Sequence, residues 1–139
     1  MADDATALAA MQSDSFNPRA IAYLAEPPPF APIPNAALIT PTVEPRDPEH
    51  QSISIQTPTD GLLMLSEVYY PGWQATVDGS PVSILRADLA LRAIPVRAGT
   101  HRVDLIFDPW SVKIGIAITT VTVFLVTCFF AFYVLRFTR

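Results

Sequence analysis

Trp73-Gln74-Ala75-Thr76-Val77-Asp78-Gly79-Ser80-Pro81-Val82-Ser83-Ile84-Leu85 reads as two short strands folded across a tight turn. Trp73 to Val77 is expected to pair with Pro81 to Leu85, because Asp78-Gly79 tolerates the positive φ angles of a two-residue hairpin. The same strand grammar extends to both sides. Ser52-Ile53-Ser54-Ile55-Gln56 alternates polar and apolar with the period of a half-buried strand, and Pro58 to Gly61 supplies a turn. Leu62 to Tyr70 is a longer apolar run expected as a central strand, broken by Pro71-Gly72. Leu89 to Val96 and Arg102 to Phe107 are expected to pair around Ala98-Gly99-Thr100. Five or six short antiparallel strands with frequent turns predict a mainly β fold, a small antiparallel β-sandwich.

Upstream the composition shifts. Eight prolines fall between Pro27 and Pro48, which removes backbone donors and favours extended geometry. The segment reads either as a disordered linker or as a proline-rich extended strap, and Phe30, Ile33, Leu38 and Ile39 favour a strap lying along something apolar. Before it, Asp3 or Asp4 can cap a short helix running to about Met11. Downstream, Ile114 to Leu135 runs 22 residues without a charge. As a helix it covers roughly 33 Å, enough to cross a bilayer core of about 30 Å. Its polar residues are Thr119, Thr120, Thr122 and Thr127, with Cys128 as an apolar thiol. Lys113, Arg136 and Arg139 flank it, and Trp110 and Tyr133 stand near the interfaces. The expected organisation is therefore a helix and lead-in over 1–26, the strap over 27–50, the sandwich over 51–110 and one transmembrane helix with a basic tail over 111–139. Asp108-Pro109-Trp110 leads almost directly from sheet to helix, so the sandwich is expected to sit close to the membrane surface.

All thirteen acidic residues precede the span, where residues 1–111 hold only six arginines, so the water-exposed part carries seven net negative charges. Such a surface argues against nucleic acid and anionic lipid as partners. The single cysteine allows no internal disulfide, and His50 and His101 show no ligand spacing, so neither a metal nor a cofactor is expected. The acidic, alanine-rich start lacks the basic-then-apolar pattern of a secretory leader.

The order Leu65-Ser66-Glu67-Val68-Tyr69-Tyr70-Pro71-Gly72-Trp73, Val77-Asp78-Gly79, Arg92, Val96-Arg97-Ala98-Gly99-Thr100-His101 and Phe107-Asp108-Pro109 resembles the C-terminal region of the YfhO-like family of bacterial multispanning membrane proteins. Phe16-Asn17-Pro18-Arg19 and Leu24-Ala25-Glu26 resemble the lead-in to that region. Members of the family resemble lipid-linked-sugar glycosyltransferases. The resemblance implies an extracytoplasmic β-domain followed by the last membrane helix, with Arg136 and Arg139 in the cytoplasm. It also implies that the catalytic acid belongs to a many-helix part with no counterpart here, so no catalytic residue carries over. The strap departs from the family pattern, which usually puts a strand near Ala37 to Val43.

Glu67, Asp78, Asp88 and Asp104 are the acids that glycoside chemistry would need to bring together in a pair, and nothing in their spacing does so. Tyr69, Tyr70 and Trp73 form an aromatic cluster that either stacks on a sugar ring, docks a protein, or packs the core behind the Pro71-Gly72 turn. Arg86 and Arg92 either grip a carboxylate or phosphate, or pair with neighbours such as Asp88. In the helix, Gly115 and Ala117 permit close approach of a neighbour, whereas lipid contact accounts for most of its phenylalanines, among them Phe124 and Phe129.

These residues predict a non-enzymatic, single-span accessory or stabilising subunit of a larger bacterial membrane complex, for which an energy-converting electron-transfer complex is one candidate. Its partners would be other integral membrane subunits and the bilayer. The alternative is a carbohydrate or lipid-linked-sugar binding module acting beside a membrane glycosyltransferase, with a glycan as ligand. A third reading takes the chain as a detached piece of a full transferase.

Overall fold

The computed structural model describes residues 3–18, 20–33 and 39–137. Arg19, Ala37, Leu38 and Arg139, named above, lie outside them. The chain divides into two units, Met1–Phe107 and Asp108–Arg139.

The first unit is an antiparallel sandwich of eight strands: β1 Thr42–Asp47, β2 His50–Thr57, β3 Gly61–Val68, β4 Trp73–Val77, β5 Ser80–Val82, β6 Leu85–Ala87, β7 Leu91–Val96 and β8 Gly99–Phe107. Five form one sheet in the order β1-β2-β8-β4-β5, and three form the other in the order β3-β7-β6. The alternation read in β2 is what builds the interior. Ile53 and Ile55 point inward beside Val103 and Leu105 of β8 and Ala75 of β4, and meet Leu63, Ile94 and Val96 of the smaller sheet. Burying each of the larger aliphatic side chains contributes roughly 1.5–3 kcal/mol. On the opposite face of β2, buried Ser52 donates from Oγ to Asp104 Oδ1 at 2.7 Å across the β2–β8 ladder, which satisfies a hydroxyl that burial would otherwise penalise.

The Asp78-Gly79 turn forms as expected, with Val77 opposite Ser80 and positive φ at both turn residues (51° and 80°). Its second strand is shorter than expected. The chain leaves the larger sheet after Val82 and re-enters the smaller one at Leu85, so Ser83 and Ile84 carry it across the sandwich edge. Two other expectations are corrected. Leu62 to Tyr70 was expected as a central strand, yet β3 is an edge strand whose neighbour is β7. Leu89 to Val96 was expected to pair with Arg102 to Phe107, yet β7 and β8 lie in different sheets, β7 pairing with β3 and β6 and β8 with β2 and β4. Both faces of β7 are buried, which a hairpin on a two-layer surface would not provide: Ile94 and Val96 face the interior, and Ala93 packs outward with Leu85, Ala87, Leu24, Leu62 and Met64. Pro95 fits this strand because β6 reaches only as far as Ala93, so its missing N–H falls where no strand stands on that side.

The segment preceding the sheets covers this outward cluster. Helix α1, Asp4–Met11, is capped by Asp3, whose carboxylate accepts from Thr6 N at 2.7 Å. Leu24 bridges to Ala87, Asp88 N donates to Tyr23 O and Tyr23 N donates to Asp88 Oδ1, both at 2.8 Å. Further on, Phe30 lies against the Arg97 guanidinium and Ile33 N donates to Asp60 O. From Thr42 the proline-rich stretch becomes β1, so the sheet begins earlier than the expected position 51.

The second unit is helix α2, Trp110–Phe137, about 42 Å long at 1.5 Å per residue. It is the helix, among the described residues, that is long and apolar enough to cross a membrane. Each of Thr119, Thr120, Thr122 and Thr127 donates its hydroxyl to the carbonyl four residues earlier at 2.8–2.9 Å, so none carries an unmet donor into an apolar medium. At its start Lys113 Nζ reaches Asp108 Oδ2 at 2.6 Å and lies 5.0 Å from the Trp110 ring.

Candidate binding groove

The loop from Tyr69 to Gly72 carries the chain from β3 in one sheet to β4 in the other, and it is fixed at both ends. Tyr69 N donates to Ala90 O at 2.6 Å, and Gly72 takes φ 115°, a conformation that side-chain-bearing residues rarely adopt. Trp73 then points inward by the alternation of β4 and packs on the core, its ring 5.3 Å from Phe107 and tilted by 44°. Tyr70 stays 59% exposed while its ring leans on Phe107 at 6.1 Å. The aromatic cluster thus divides: Trp73 is half-buried, packed on the core with an edge left at the cleft, whereas Tyr69 and Tyr70 face outward. With Gln74, Thr76, Pro81 to Ile84 and Glu26 they line an open cleft of about 470 Å³ along the β4–β5 edge. Gln74, Thr76, Ser83 and Glu26 were not singled out from the sequence. The signal for the first two was present, since they occupy the outward positions of β4 between inward Trp73, Ala75 and Val77.

Arg92 and Arg86 do not converge. Arg92 is 2% exposed, inward-facing on β7, with its guanidinium carbon 4.3 Å from the Trp73 ring centroid and Nη2 paired with Glu67 Oε2. Glu67 also accepts from Gln51 Nε2 at 2.8 Å, so β2, β3 and β7 each place one polar side chain at this end of the interior. Among the described residues Nε and Nη1 of Arg92 have no hydrogen-bond partner, and burial pulls the guanidinium below its usual pKa. Arg86 instead forms a forked pair with Asp4 at 2.8 and 3.1 Å and donates to Leu89 O. The expected neighbour, Asp88, is occupied by Tyr23. Leu89 holds φ 68°, unusual for a bulky residue, and Arg86 fastens that turn.

Asp78 and Asp60 are each tied locally. Asp78 accepts from Arg102 N at 2.9 Å and meets His101 Nδ1 at 2.7 Å, which lowers its pKa, the backbone N–H acting most. The same contact, with Ala98 O 3.4 Å from His101 Nε2, raises the pKa of His101. Asp60 accepts from Ala98 N and from Arg97 Nη1, at 2.8 and 2.9 Å, and is likewise lowered. The turn between β7 and β8 is therefore pinned from two sides. Among the described residues no three potential metal ligands come together.

In α2, Gly115, Ala117, Phe124 and Phe129 are exposed, as is every residue of that helix. Among the described residues nothing outside the helix's own backbone approaches within 4 Å of a Cβ placed at Gly115.

A β-sandwich joined by two residues, Asp108 and Pro109, to a membrane-length helix defines a membrane protein with one β-rich domain. The family described as "Bacterial membrane protein YfhO" matches residues 38–119, which span all eight strands and the start of α2, and the chain belongs to that family. The match begins after the lead-in residues Phe16 to Arg19 and Leu24 to Glu26. No curated protein and no solved structure matches the chain.

Proposed function

We propose that the chain is a non-catalytic, single-span accessory module of a larger bacterial membrane protein assembly. The observation that carries this reading is how the sandwich uses its acids. Glu67 serves Arg92 and Gln51, Asp78 a hairpin turn, Asp88 the Tyr23 backbone and Asp104 the Ser52 hydroxyl. Glycoside hydrolysis uses two carboxylates facing each other across the bond with separated pKa values, and each of these is instead committed to holding strands or turns. Helix α2 supplies the other half of the argument, because its bulky apolar side chains suit lipid and neighbouring helices alike.

In this reading the sandwich is extracytoplasmic and Arg136 cytoplasmic, in keeping with the positive-inside tendency. The test is to solubilise native membranes gently, separate them by native electrophoresis and identify what co-migrates. Stoichiometric integral membrane subunits are expected, and migration of the chain alone overturns the reading. Orientation is checked with Ser80→Cys, at the exposed β4–β5 turn: an impermeant thiol reagent should label it in intact cells. Labelling only after detergent permeabilisation would reverse the topology.

A further inference from the structure

We propose that the cleft between the Tyr69–Trp73 loop and the β4–β5 edge binds a small organic cation, a quaternary ammonium head carrying a short polar tail. Charge is the first observation. Among the described residues no lysine, arginine or histidine lines the cleft, and the carboxylate that does, Glu26, has no hydrogen bond or ion pair. Arg86, Arg92, Arg97 and Arg102 are held by other acids, namely Asp4, Glu67, Asp60 and Asp104. None of these four reaches Glu26, so the negative charge at the cleft is open to a ligand.

The aromatic wall is the second observation. Tyr69 and Tyr70 are 37% and 59% exposed, and Trp73 leaves an edge at the cleft. The faces of such rings are electron-rich and attract cations. One cation already lies on this wall from within, the Arg92 guanidinium 4.3 Å from the Trp73 ring centroid. Its charge is balanced by Glu67, which leaves Glu26 to set the sign of the cleft. A primary ammonium holds its water tightly, whereas a quaternary ammonium is weakly hydrated and presents methyl groups to the rings.

The cleft's volume of about 470 Å³ falls within the roughly 300–1,000 Å³ of small-molecule sites and leaves room for a tail beyond the head. Gln74, Thr76 and Ser83 supply amide and hydroxyl oxygens to receive it. An added peptide strand fits this edge less well, because β5 is three residues long and carries Pro81, which has no N–H to donate. The wall is also set in place before any ligand arrives. Tyr69 N is bonded to Ala90 O, Gly72 fixes the turn and Tyr70 leans on Phe107, so little ordering cost remains for binding. The proposal concerns the sandwich alone and stands or falls separately from the assembly reading.

The full chain, held in nanodiscs of phosphatidylethanolamine and phosphatidylglycerol, is titrated with choline and tetramethylammonium. Binding is followed by tryptophan fluorescence and saturation-transfer NMR against empty discs. At least one cation should saturate with a Kd of about 0.1–10 mM. The neutral carbon isostere 3,3-dimethylbutan-1-ol should bind about tenfold more weakly than choline. Tyr70→Phe keeps the ring and should bind as the wild type does, whereas Tyr70→Leu should weaken binding about fivefold. Glu26→Gln should weaken it about threefold and flatten its dependence on salt. The melting temperature should stay unchanged, since that carboxylate holds nothing among the described residues. Repeating the titration in phosphatidylcholine discs distinguishes the sources of the cation: a weaker apparent affinity for choline assigns the site to a lipid headgroup, and an unchanged one to a free ligand. Absence of saturation with either cation, equal binding of the isostere, binding indifferent to both Tyr70→Leu and Glu26→Gln, or tighter binding of cellobiose than of choline would each overturn the proposal.

Discussion

Removing Glu67 should harm the fold more than removing the cation it serves. Arg92 is 2% exposed with Nε and Nη1 unpartnered, so its charge is balanced by Glu67 and softened by the Trp73 ring. Breaking a fully buried pair from one side costs about 3–5 kcal/mol, because the remaining charge is stranded. Glu67 is 45% exposed, which lets water share the balancing, so Glu67→Gln should cost about 2 kcal/mol. Arg92→Met removes the charge, the two unmet nitrogens and their desolvation together while keeping the volume. Against that it forfeits a cation–π contact of roughly 1 kcal/mol, leaving a net change within about 1 kcal/mol of zero. The double variant should therefore resemble Arg92→Met. For a domain near 100 residues each kcal/mol moves Tm by about 4–8 °C, so Glu67→Gln should lower it by roughly 10 °C. Thermal unfolding followed by circular dichroism on the nanodisc-held chain reads all three. If Arg92→Met lost as much as Glu67→Gln, or the double variant lost the sum of the two, the pair would not be coupled as argued.

The turn at residues 97–101 yields two linked expectations. His101 has its pKa raised above the ordinary value near 6.5, chiefly by Asp78, so its contribution is complete below about pH 6.5 and is lost as pH rises through the higher folded value. Stability measured across pH 6 to 9 should fall with rising pH, and His101→Gln should flatten that slope; an unchanged slope would remove His101 from the explanation. Asp78 contributes in the opposite sense, holding above its ordinary carboxylate range and failing as acid titrates it. Gly99 takes φ 137°, and a Cβ there would lie 2.9 Å from His101 Nε2. Gly99→Ala should cost about 1–3 kcal/mol from backbone strain. It should also weaken the pH slope, because the ring cannot retreat without leaving Asp78. A Gly99→Ala protein that melts like wild type would contradict both points.

What could be read from the sequence divides along physical lines. The Asp78-Gly79 turn, the alternation of β2, the Asp3 cap and the apolar helix are local, each decided by residues within a few positions of one another, and each appears where expected. Strand partnership is not local. Ala98-Gly99-Thr100 sits between two strand-forming segments just as a hairpin turn would, and nothing nearby distinguishes that from a crossover between sheets. The clue lay in β7 itself: Ala93-Ile94-Pro95-Val96 is apolar without alternation, the mark of a strand buried on both faces. Such a strand needs a second cover, which Leu24 and the residues around it supply. The aromatic cluster was legible as a cluster, but its split was not, because Tyr69, Tyr70 and Trp73 differ in burial through the crossover at Pro71-Gly72 and not through their chemistry.

That crossover explains why the groove and the buried pair occur together. A loop passing from an edge strand of one sheet to a strand of the other must close the end of the sandwich, and it does so with Trp73 and Phe107. Closing the end places Trp73 against Arg92, and the Glu67 partner on β3 lies just before the same loop. The bulge between Leu65 and Val68 shifts the register at that point, so Val68 aligns with Leu91. The loop then leaves β3 in reach of Ala90, and Tyr69 and Tyr70 are directed outward. Losing the Arg92–Glu67 pair should therefore loosen the wall of the cleft as well as the core beneath it. At temperatures well below its own melting point, Glu67→Gln should speed amide hydrogen exchange at Tyr69, which donates to Ala90 O, an effect at a distance that a loop held only by its own surface contacts would not produce.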